Sequence, residues 1–164
     1  MNDPTYEFST DPARIDPARV HELIADTYWG TGRSREVMDA AIAGSRPYGV
    51  YRSDTGEEVA FARVVTDGVT FAWLADVVVD PAVRGQGVGK LLVAGVVAEL
   101  EPLGLRRTLL ATADASGLYE QFGWVPVDPQ YSWMERPRRG AGTSAGTPTT
   151  TPVSTAASPS GAHS

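Results

Sequence analysis

The stretch that most constrains this chain is Val77-Val78-Val79-Asp80-Pro81-Ala82-Val83-Arg84-Gly85-Gln86-Gly87-Val88-Gly89-Lys90. It reads as a buried strand, a Pro-marked turn and a Gly-rich loop that opens an apolar helix running on to Leu100. Backbone N–H groups at a helix N-terminus have no intrahelical partner, and the positive end of the helix dipole lies there, so such a loop binds phosphate. Glycines let the backbone approach an anion closely, and Arg84 adds a positive charge.

The spacing excludes two nucleotide loops. A Walker A loop needs Gly where Arg84 stands and Ser or Thr where Leu91 stands; the dinucleotide fingerprint needs Gly where Lys90 stands and a strand that begins a βαβ unit.

The strand before the loop ends a run of three. Tyr48–Tyr51, Val59–Thr66 and Val69–Val79 read as strands, with a polar turn at Ser53-Asp54-Thr55-Gly56 and a two-residue hairpin at Asp67-Gly68. Tyr6–Ser9 reads as a first strand. Asp16-Pro17 and Ser34 open two helices, whose apolar faces carry Val20, Leu23 and Ile24, then Val37, Met38, Ala41 and Ile42. After Gly104 come a strand over Arg107–Thr112 and a short helix over Ser116–Phe122 closed by Gly123. Last strands are expected at Trp124–Val127 and Tyr131–Glu135. An antiparallel meander followed by a βα crossover predicts an α/β fold, a mixed sheet with helices on both sides.

The loop resembles the acetyl-CoA loop of the GNAT (Gcn5-related) N-acetyltransferases, R/Q-x-x-G-x-G/A, here Arg84-Gly85-Gln86-Gly87-Val88-Gly89 with Pro81 three residues earlier. Ala115-Ser116-Gly117-Leu118-Tyr119-Glu120-Gln121-Phe122-Gly123-Trp124 resembles that family's second landmark, a short helix carrying Tyr and ending in Gly-aromatic. The resemblance covers about residues 5–137 and implies transfer of an acetyl group from acetyl-CoA to a primary amine, a small molecule first and a protein amine second, by direct attack in a ternary complex. It implies that the backbone of Arg84, Gly85, Gln86, Gly87, Val88, Gly89 and Lys90 holds the pyrophosphate, and that Val77, Val78 and Val79 pair with the pantetheine arm. It also implies that Tyr119 is the general acid. Tyr119 also reads as a core aromatic. Asp76, which interrupts an apolar strand, is the candidate general base or a hydrogen-bonded strand residue. The loop between the first two helices, with Tyr28, Trp29 and Arg33, is expected to contact the acceptor. A non-catalytic acyl-CoA sensor on the same fold is the competing reading.

Composition narrows the rest. The chain has 164 residues, a size for one domain, and no cysteine, which removes disulfides and a cysteine acyl-enzyme. No metal is called for. A formal net charge of −6 argues against general nucleic-acid binding. No run approaches the ~20 apolar residues of a membrane span, and Met1–Asp16 lacks a signal-peptide pattern. The expectation is a cytoplasmic monomer or homodimer with no membrane partner. Residues 138–164, dominated by Gly, Ala, Ser, Thr and Pro, are expected to form a disordered tail.

Overall fold

The computed structural model describes residues 5–136, so the expectation for residues 138–164 lies outside the described residues. Five strands, β1 (Tyr6–Ser9), β2 (Arg46–Arg52), β3 (Glu58–Thr66), β4 (Phe71–Val79) and β5 (Arg107–Leu109), form one sheet in sequence order. The first four pair antiparallel, and β4 pairs with β5 parallel. Four helices accompany them: α1 (Pro17–Ala25), α2 (Arg35–Ala43), α3 (Val88–Leu100) and α4 (Ser116–Glu120). The mixed α/β sheet expected from the sequence is the fold observed.

Local chemistry starts the helices where the sequence places them. The Asp16 carboxylate accepts from the N–H groups of Ala18 (2.9 Å) and Arg19 (3.3 Å), and Ser34 Oγ accepts from Val37 N–H at 3.3 Å. The earlier Asp11-Pro12 pair makes only a 3-10 turn over Pro12–Arg14.

The sheet separates two apolar layers. Ala60, Ala62 and Val64 of β3 face α3, whose Val88, Leu92, Val93 and Val96 are buried against them. Phe61, one residue out of phase, faces Val20, Leu23 and Ile24 of α1 and Met38 of α2. In β4 the phase changes within the strand. Ala72 and Leu74 face α3, yet so do Val77 and Val79, while Val78 faces α1. The register explains this: Phe61 opposes Val78 but Arg63 opposes Ala75, so β4 holds one extra residue, a β-bulge. Asp76 sits there with φ +52°, the one non-glycine at positive φ among the described residues.

Four sequence expectations need correction. The β3–β4 turn has four residues, Asp67–Thr70, because the Asp67 carboxylate accepts from the N–H groups of Val69 (2.9 Å), Thr70 (2.8 Å) and Phe71 (3.1 Å); β4 therefore starts at Phe71. β5 ends at Leu109 rather than Thr112. α4 ends at Glu120 rather than Phe122, because Gly123 at φ +87° closes the turn and donates to Glu120 O at 3.2 Å. Neither Trp124–Val127 nor Tyr131–Glu135 forms a strand. Pro126 and Pro129 carry no N–H for a ladder. Asp128 instead makes a local turn, accepting from Gln130 N–H at 2.9 Å, with Tyr131 N–H on Asp128 O at 3.1 Å.

Glu58 gives the fold a pH dependence. Its side chain lies inside the protein, where Oε2 accepts from Asp16 N–H at 3.0 Å while Oε1 has no partner. Burial raises its pKa to about 7 from the usual 4.5, against the lowering effect of the Asp16 N–H. The folded state then holds a proton that the unfolded chain has released, so stability is greatest below the unfolded pKa and falls as pH rises through the folded one. Glu58→Gln keeps an oxygen for Asp16 and cannot ionise. Relative to the parent it should gain stability, on the order of 2 kcal/mol, at pH 8 and little at pH 4. Urea midpoints of both proteins at the two pH values check this; equal shifts at both would contradict it.

Candidate active site

The Gly-rich loop is built from β4 outward. Past Val79 the chain makes a 3-10 turn, Pro81–Val83, whose start is capped by Asp80 accepting from Ala82 N–H at 2.8 Å. Arg19 of α1 forms an ion pair with the same Asp80, which ties the turn to the first helix. Val83 and Val88 are buried and anchor the loop at both ends. Between them Arg84, Gly85, Gln86 and Gly87 are exposed. Gly85 has φ +78° and Gly87, the N-cap of α3, φ +82°. A Cβ at either would meet no heavy atom within 4 Å, so the backbone angle and not crowding calls for glycine. The first N–H groups of α3, at Val88, Gly89 and Lys90, point out of a 13-residue helix and have no intrahelical acceptor. Arg84 Nε donates to Val79 O at 3.3 Å, and Gln86 Oε1 accepts from Tyr6 OH at 2.5 Å. The Lys90 side chain is exposed.

A second feature follows from the sheet. β5 pairs with β4 only through Phe71, Ala72 and Trp73. Beyond Trp73 the two strands separate, and a cleft of about 580 Å³ is lined by β4 from Trp73 to Val77, by residues 110–115, and by Tyr28, Trp29, Arg33, Arg63 and Tyr119. Its floor is an ion-pair cluster. Arg33 Nη1 donates to Asp76 Oδ1 at 2.8 Å, and Arg63 Nε donates to Asp76 Oδ2 at 2.5 Å. The Asp76 side chain is 4% exposed.

The helix-connecting loop holds Arg33 in place through its own hydrogen bonds. Thr27 Oγ1 donates to Ile24 O (2.7 Å) and accepts from Gly30 N–H (3.0 Å). Gly30 has no room for a side chain, since a Cβ would lie 2.3 Å from Ile24 O. His21 Nε2 lies 3.1 Å from Arg33 O. The Arg33 guanidinium carbon stands 5.6 Å from the centre of the Trp29 ring.

Tyr119 comes from α4 and is buried, its ring edge-on to Trp124 at 5.9 Å. Burial first, and the charge of Asp114 second, raise its phenol above the usual value of 10. It therefore keeps its proton across the neutral range.

The structure thus gathers Tyr28, Trp29, Arg33, Asp76, Val77 and Tyr119 around one cleft. Val78 is buried toward α1, and the backbone of Val79 leads into the loop of residues 84–90, which is not part of the cleft lining. Sequence reasoning missed Arg63 and Asp114. A signal for Arg63 existed: it is the one charge within the apolar run Val59–Val65, as Asp76 is in the facing strand.

Comparisons with known proteins agree with this geometry. Residues 44–126 match the acetyltransferase (GNAT) domain model. A solved Xanthomonas campestris structure described as belonging to the GNAT family is 40% identical, with a TM-score of 0.75 over 85% of this chain and 98% of that one. A Gibberella zeae protein named as an acetyltransferase is 29% identical over 133 residues, 70% of this chain and 75% of the relative. Serotonin N-acetyltransferase 2 of rice is 38% identical over 78 residues, 47% of this chain and 38% of that protein. With the Gly-rich loop at the head of α3, the parted strands and the family match, this chain belongs to the GNAT family and is an acetyltransferase.

Proposed function

We propose that the protein moves an acetyl group from acetyl-CoA to the primary amine of a small molecule, by direct attack of the amine while both substrates are bound. One observation carries the reading: beyond Trp73 β4 has an edge free of β5 that runs on toward the Gly-rich loop, and Tyr119 lines the cleft which that edge opens.

Acetyl-CoA supplies the activated thioester when bound. The N–H groups of Val88, Gly89 and Lys90, with the αL turns at Gly85 and Gly87, suit a pyrophosphate. The backbone of Val77 to Val79, free of β5, offers N–H and C=O groups to an extended amide arm. A backbone N–H at Val78 or Val79 steadies negative charge on the carbonyl oxygen under attack.

Two carboxylates line the cleft. Asp76 gives both oxygens to guanidinium groups and so holds Arg33 and Arg63 in place. Asp114 is exposed and has no ion pair among the described residues, and it receives the ammonium proton, directly or through water. Tyr119 gives its proton to the departing sulfur and regains one from solvent. The aromatic walls, Tyr28, Trp29 and Trp73, suit an acceptor with an apolar body; the rice relative is named for an aromatic amine, serotonin.

Initial velocities of thiol release, with acetyl-CoA and amine both varied, test direct attack. Intersecting double-reciprocal lines are expected. Parallel lines would require an acyl-enzyme and overturn the reading.

A further inference from the structure

The cluster on the cleft floor carries more positive charge than it neutralises. Arg33 and Arg63 converge on one carboxylate, Asp76. The Arg63 side chain is 16% exposed and that of Arg33 33%, so water screens the surplus only in part. Each guanidinium has five N–H donors. Asp76 takes one from each, Met38 Sδ lies 3.7 Å from Arg33 Nη1, and no other described acceptor takes the rest.

The backbone is bent at Asp76 itself. Asp76 holds the left-handed conformation at the β4 bulge, a strained state that persists only where the surroundings enforce it and that clusters at ligand-binding sites. The result is two forks fixed by a buried anchor, with Trp29 beneath Arg33. Preorganised guanidinium forks of this kind recognise carboxylate and phosphate oxygens. The opposite charge belongs to a different part of the lining: Asp114 acts electrostatically on Tyr119.

We infer that the acceptor is an amine that also carries an anionic oxygen group, a carboxylate or a phosphate, which docks on the free N–H groups of Arg33 and Arg63 while its amine faces Asp114 and Tyr119. This rests on the acetyl-transfer reading and narrows its substrate class. Asp76 acts as a positioning residue, and Arg33 and Arg63 as the contacts that select the acceptor.

The test compares kcat/KM within matched sets: an amino acid, its methyl ester, the amine lacking the carboxyl group, and an aminoalkyl phosphate of similar size. The anionic members should be favoured by about ten-fold or more over the neutral ones, as a charged hydrogen bond warrants. Which anion leads distinguishes carboxylate from phosphate. Arg33→Gln should bring the ratio of anionic to neutral acceptors toward one. In the unaltered protein, independently of any variant, the ratio should fall with rising salt as the guanidinium charges are screened. Neutral members accepted as well as their anionic partners, with no salt effect on the ratio, would overturn the inference and leave the transfer reaction standing. No transfer to any member by a protein that binds acetyl-CoA would overturn the transfer reading, and this inference with it.

Discussion

Gly87→Val should weaken CoA binding by about 10²-fold and leave the fold intact, the combined effect of a strained turn and misdirected N–H groups. Gly87 is the N-cap of α3 at φ +82°, a conformation that a β-branched residue adopts only under strain. Space is not the obstacle, because a Cβ there meets nothing within 4 Å. The substituted loop can relax toward negative φ without disturbing Val83 or Val88, which remain buried in the core. Relaxation turns the first N–H groups of the helix away from a common focus, and a pyrophosphate loses several charge-assisted hydrogen bonds together. Calorimetric titration of CoA, beside a far-UV spectrum of the variant, checks this. A native spectrum with unchanged affinity would remove the loop from the CoA site.

Features set by neighbouring residues were legible in the sequence. Asp16-Pro17 and Ser34 announce α1 and α2 because caps act within one turn, and Gly104 and Gly123 end segments at φ +59° and +87° for the same local reason. The meander, the loop and α3 follow from apolar runs broken by Pro and Gly. What was not legible depends on distant partners. The β4 bulge has no composition of its own; it appears only when Phe61 and Arg63 are paired with Val78 and Ala75. Gly95 reads as an ordinary weak point in a helix, yet a Cβ there would lie 2.5 Å from the Phe8 ring, so it lets α3 close on β1.

The candidate site divides in the same way. Tyr119, Asp76 and Arg33 stand out as residue types in context, whereas Arg63 becomes part of the site only because β3 pairs with β4. The apolar stretches after Gly123 resemble strands by pattern, and Pro126 and the Asp128-Pro129 turn override that pattern.

Tyr119→Phe bears on the central claim, that this cleft catalyses acetyl transfer and that Tyr119 supplies the proton for the leaving thiolate. The change removes one hydroxyl and keeps the buried ring against Trp124, so packing should survive. Burial and Asp114 raise the phenol above its usual value, so the hydroxyl carries its proton in the bound ground state. Its stabilisation therefore exists in the transition state and not in the bound ground state. Loss of a general acid of this kind lowers turnover by ~10²-fold, with acetyl-CoA affinity unchanged. The deciding measurement is release of free CoA thiol, matched to acetylated amine by mass spectrometry, for both proteins beside their acetyl-CoA affinities. Transfer by the parent protein, a ~10²-fold slower rate for Tyr119→Phe and equal affinities are expected; equal rates, or a parent that binds acetyl-CoA and acetylates no amine, would rule out catalysis through Tyr119.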